Sequence, residues 1–186
     1  MQVNSTTNQA DIYRSYEEQK VKKQEEIKNS YSDFRRKFQN ASADFSTKSM
    51  DVQATLSSTA QNANDTSSAF SYSSSDFQQF LKDVGYSGKN IPNLSPDEAK
   101  KVVADDGFFG VNQTAQRIAD FVIKGAGNNE SLLNAGRAGI MQGFADAQKA
   151  WGTKLPDISQ QTITKATDII NQKMSDLGYS ILNTNA

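Results

Sequence analysis

Four aspartates are the side chains best suited to chemistry here: Asp105 and Asp106 in an Asp-Asp-Gly triplet, with Asp120 and Asp157 further along. Paired carboxylates held at different pKa values perform general acid–base work, as in glycoside hydrolysis. The same residues have a plainer reading, and it carries more weight. Asp-Asp-Gly is a turn sequence, and Asp157 sits where a negative charge complements a helix N-terminus. Asp-Asp-Gly-Phe lacks the ladder of oxygen ligands that a calcium loop needs. Gly125-Ala126-Gly127 resembles part of a phosphate loop, but it follows a helical pattern and no Lys-Ser/Thr closes it. The chain has no cysteine and no histidine. Thiolate nucleophiles, disulfides, structural zinc sites and His-based triads are thereby removed. A serine–lysine pair has no signature. No catalytic residue, metal or cofactor is expected, and the chain reads as a non-enzyme.

The elements around these residues are helical. The densest apolar window is Asp105–Ile123, where a turn runs into a central helix expected over about Val111–Lys124. Phe108 and Phe109 are adjacent, so either a turn buries both or one is left exposed as an anchor for a partner. Upstream, Asp76 is read as the N-cap of a short helix closed by Gly85, and Ser95-Pro96-Asp97-Glu98 as a capping box. Downstream, Gly125–Gly127 ends the central helix and Asn129 caps the next. Gly136, Gly139 and Gly143 lie inside that helix at roughly 1 kcal/mol each relative to alanine. Their expected compensation is close approach to another helix, the central one being the first choice. Met141 and Trp151 are read as core. Ser159 is expected to cap a last helix that Gly178 terminates. Residues 76–180 together form a helical-bundle core.

The first half differs. Residues 1–40 carry an amphipathic helix over about Asp11–Asn40, with Ile12, Tyr16, Ile27, Tyr31, Phe34 and Phe38 at spacings of three, four or their sums. Lys20, Lys23 and Gln24 interrupt the stripe, while Glu18→Lys22 and Asp33→Lys37 have the favourable i,i+4 order. This helix either docks on its own domain or offers Tyr16, Ile27, Tyr31, Phe34 and Phe38 to a protein partner. Residues 41–75 are rich in Ser, Thr, Asn and Gln. Alternation at Val52, Ala54 and Leu56, and at Phe70 and Tyr72, points to a small β-hairpin, the alternative being an irregular connection. The fold class is mainly α: a helical bundle with that hairpin as its β content.

Apolar residues make up only 36% of the 186, and net charge is -1 with both signs interspersed. Without a basic face, nucleic acid is not an expected partner. No apolar run approaches the roughly 20 residues that span a bilayer, so membrane insertion is not expected. Met1-Gln2-Val3-Asn4 does not read as a Sec-type signal, which leaves signal-independent export open.

Three stretches carry a resemblance: Asp106–Ile123, Gly139–Phe144 with Ala147–Gly152, and Leu155–Thr162. Together they resemble a bacterial domain family often labelled "hydrogenase-4 component G", and are similar to a Helicobacter flagellar co-chaperone that binds the flagellin chaperone FliS. No metal-ligand set or membrane segment supports the hydrogenase label. The resemblance covers residues 76–178. It implies a helix-rich bundle with a few short strands, cytoplasmic action, no catalysis and a FliS-type protein partner. The cysteine-free, Ser/Thr/Asn/Gln-rich composition also suits a secreted or filament-associated structural protein of the flagellum.

Overall fold

A computed structural model describes residues 9–61 and 74–181. Among them the chain forms six α-helices and one 3₁₀ turn: α1 (Gln9–Ala60), α2 (Ser75–Asp83), the turn Ile91–Asn93, α3 (Pro96–Val103), α4 (Val111–Ala126), α5 (Glu130–Trp151) and α6 (Asp157–Asp176). The chain divides into two units, residues 1–37 and 38–186.

In the first unit, residues 11–37 are helical and exposed at every position. Among its described residues the ion pairs are Glu17–Lys20 at 3.7 Å and Asp33–Arg36 at 3.0 Å, both i,i+3 rather than the i,i+4 pairs expected. Such exposed pairs contribute little to stability.

The second unit is a bundle in which the last part of α1 is enclosed. Residues 49–58 are all buried, although Ser, Thr, Gln and Asp are frequent among them. The hairpin expected at Val52, Ala54 and Leu56 is therefore corrected: all three are helical and fully buried. The physical reason is a helix with a core on each side. Two positions along a helix turn through about 200°. Met50 and Ala54 accordingly join one cluster, with Ile118, Val122, Leu133, Ile140, Ile163 and Ile170. Val52 and Leu56 join the other, with Phe77, Phe80, Leu81, Ile91 and Phe109. Burial on both sides thus imitates the period of a strand. Phe70 and Tyr72 lie outside the described residues.

Small residues let α1 and α5 approach. A Cβ on Gly139 would collide with the Gln39 carbonyl, and one on Gly143 with the Ala43 carbonyl. The polar side chains trapped there find backbone acceptors: Ser46 Oγ donates to Ile140 O at 2.9 Å, and Thr47 Oγ1 to Gly143 O at 3.0 Å. The glycines of α5 therefore serve α1 rather than α4, except Gly136, where a Cβ would meet both Val122 and the Phe38 ring. Deeper in, the fully buried Gln53 donates from Nε2 to Phe109 O (2.9 Å) and Thr162 Oγ1 (3.0 Å), tying α1 to α6 and to the turn before α4.

Helix ends follow local chemistry with two corrections. α2 is capped by Ser74, which accepts from Phe77 N, so Asp76 lies inside the first turn. α6 begins at Asp157 after Pro156, and Ser159 is an interior, buried residue instead of a cap. Gly85, Gly127, Gly152 and Gly178 take positive φ at the ends of α2, α4, α5 and α6. The capping box at Ser95 and Glu98 is present. The Ser95 backbone N–H donates to the Glu98 carboxylate at 2.7 Å and Lys89 Nζ lies 3.0 Å away. These contacts hold the carboxyl at about 2, against 4.5 for an ordinary glutamate.

A depressed carboxyl pKa stabilises the fold above the unfolded value and loses that effect as pH falls toward the folded one. α3 is therefore expected to loosen from about pH 4.5 down to about pH 2. Glu98→Ala should abolish that acid dependence and leave α3 amides exchanging faster at neutral pH. Hydrogen exchange across this range checks both, and protection equal in the two proteins would exclude a role for the box.

Candidate functional site

The carboxylates considered for catalysis are dispersed by the fold. Asp105 and Asp106 are exposed in the turn between α3 and α4. Asp157 is exposed in the first turn of α6, with Lys154 at 3.4 Å. Asp120 lies on α4, 3.0 Å from Lys124, and accepts from Gln116 at 2.9 Å. Burial acts to raise its pKa, but these hydrogen bonds override it and hold the carboxyl below its usual value. Among the described residues no group of three or more acidic, His or Cys side chains is arranged to hold a metal. Among them, too, no helix is long and apolar enough to cross a membrane.

The Asp-Asp-Gly-Phe-Phe-Gly turn closes the end of α3. Gly107 N donates to Ala104 O and Phe109 N to Val102 O, each at 2.8 Å. A Cβ at Gly107 would strike the Lys101 and Val102 carbonyls. The turn buries Phe109 and half-buries Phe108, with ring centroids 5.0 Å apart and Tyr86 packed at a tilt against both. Arg117 covers Phe108 at 4.2 Å and donates to Phe108 O (2.6 Å) and Thr114 Oγ1 (3.1 Å). Burial lowers its pKa to about 10, so it stays charged at neutral pH. Neither phenylalanine is left as a free anchor; the arginine completes an internal aromatic corner. Arg117 was not among the residues singled out from the sequence, and its spacing from Phe108 was the available signal.

The stripe proposed for partner binding is divided. Tyr16, Ile27, Tyr31 and Phe34 lie exposed in the first unit, with Ile12 and Tyr13 beside them. Phe38 belongs to the second unit, where it stacks on Phe121 at 6.5 Å and fills a slot left by Gly125 and Gly136. Met141 also departs from its expected place: it is 43% exposed, whereas Trp151 packs against the core.

The second unit carries two concavities of note. The larger, about 770 Å³, runs between α4 and α6 and is lined largely by polar side chains, with Lys165 Nζ donating to Asn112 at 2.5 Å. The other, about 420 Å³, is an aromatic groove between α1, α2 and α4. No family model, curated protein or solved structure matches this chain.

Proposed function

We propose that this protein is a non-enzymatic binding module that lays the first part of α1 on a protein partner, and that it serves in the cytoplasm as a co-chaperone of the flagellin export chaperone FliS. One observation carries the binding role. Of nine large hydrophobic side chains exposed among the described residues, seven lie between Ile12 and Phe34. Single exposed apolar residues are ordinary, whereas a stripe of them along a helix suits a groove on another protein. Tyr16, Ile27, Tyr31 and Phe34 form the contact face, and Phe38 is excluded because the bundle uses it. Docking would favour the folded chaperone by mass action. The partner's identity rests on the sequence resemblance alone.

Capture of purified FliS by the full chain is the test. Binding is expected, and a Tyr16→Asp, Ile27→Asp, Phe34→Asp variant should lose at least tenfold in affinity. Absence of binding by the parent removes the FliS reading. Undiminished binding by the variant moves the contact elsewhere. Recovery of the protein outside the cell would favour the filament-associated role instead.

A further inference from the structure

We propose that the protein self-associates, with Phe34-Arg35-Arg36-Lys37 of one copy seated in the aromatic groove of a second. The groove floor is Phe45, stacked on Phe121 (centroids 4.7 Å apart, planes 15° apart) and edge-on to Phe80 at 5.5 Å. Phe45 and Phe121 remain partly accessible. Among the described residues the rim carries Asp44, Asp76 and Asp83 against one cation, Lys48, which is 2.7 Å from Asp44, for a net charge of three negatives less one positive. An apolar floor under a negative rim selects a large apolar side chain flanked by cations and rejects an acidic one.

The chain itself supplies that ligand. Phe34 is 52% exposed, and the three residues after it are exposed cations. Lys20-Val21-Lys22-Lys23 also joins an exposed apolar residue to three cations, but four acids, Glu17, Glu18, Glu25 and Glu26, flank it and the rim would repel them, whereas the one acid beside Phe34, Asp33, is paired with Arg36 at 3.0 Å. Phe34 to Ala41, which lines the groove, is one uninterrupted stretch of α1, so the segment could turn back onto its own groove only by breaking that helix. Each copy carries both the segment and the groove, and a reciprocal exchange of two equivalent contacts is the arrangement we assign, because it closes as a dimer whereas a one-way contact would grow into a filament.

Sedimentation equilibrium of the full chain tests this without any other protein, so its outcome is separable from that of the FliS reading. A dimer is expected at low salt, weakening as salt screens the charges. Asp76→Lys with Asp83→Lys should give a monomer, and so should Arg35→Glu with Lys37→Glu. All four positions are exposed, so the fold is retained, and circular dichroism verifies this. Mixed in equal amounts, the two variants should regain the dimer, because each groove then meets a segment of opposite sign. A monomeric parent at hundreds of micromolar overturns the proposal, as does a variant that still dimerises alone or a mixture that stays monomeric.

Discussion

Alanine at both Gly139 and Gly143 is expected to destabilise the bundle by up to about 4 kcal/mol. Each added methyl meets a backbone carbonyl of α1, at Gln39 and Ala43, and behind it the Cβ of Ser42 or Ser46. Overpacking of this kind costs roughly 1–3 kcal/mol per site. Alanine's better helix propensity returns about 1 kcal/mol at each position. The clash wins because a helical carbonyl cannot rotate aside as a long side chain can. Separation of the helices would also stretch the Ser46–Ile140 and Thr47–Gly143 hydrogen bonds. Since domains of this size are stable by roughly 5–15 kcal/mol, the urea midpoint should fall visibly. A midpoint that rises would mean that helix propensity dominates and the close approach does not constrain the fold.

Phe109→Ala should cost about 3–5 kcal/mol, the range for removing a buried phenyl ring. The side chain is 1% exposed and packs on Phe108 and Tyr86 in the cluster that includes Leu56 and Phe77. Its carbonyl is the acceptor for Gln53, so movement of the turn also threatens a buried amide. Phe108→Ala, by contrast, removes a half-buried ring and should cost less than half as much. Equal losses for the two variants in chemical denaturation would show that the turn does not discriminate between its aromatic residues.

Much of the second unit was readable because its helix ends are written in local chemistry. Ser95 and Glu98, Asn129, and the glycines at 85, 127 and 178 act within a few residues of themselves, and all fulfil the expected role. Ser159 misled because proline at 156 starts α6 before any side-chain cap is needed, leaving the serine to face inward. The larger departure concerns residues 42–60. Their polarity reads as solvent exposure only if polar side chains lack partners inside. Here Ser46 and Thr47 bond to α5 carbonyls, and Gln53 spans to α6. Those acceptors lie about a hundred residues away, so no local pattern announces them. The contact stripe was visible from spacing, but the place where it passes from surface to core was not. That boundary falls between Phe34 and Phe38 because Gly125 and Gly136 leave room for the second ring.

The distant acceptors of α1 impose an order on biogenesis. Ser46 must wait for Ile140, and Gln53 for Thr162, before their donors are satisfied. At ribosomal rates of roughly 5–20 residues per second, that interval lasts about 5–25 seconds. During it the nascent chain holds a serine- and threonine-rich segment that water solvates readily. An enclosed segment made of leucine and valine would spend those seconds as an adhesive surface. Its polar composition therefore keeps the newborn chain soluble until the later helices arrive to wrap it.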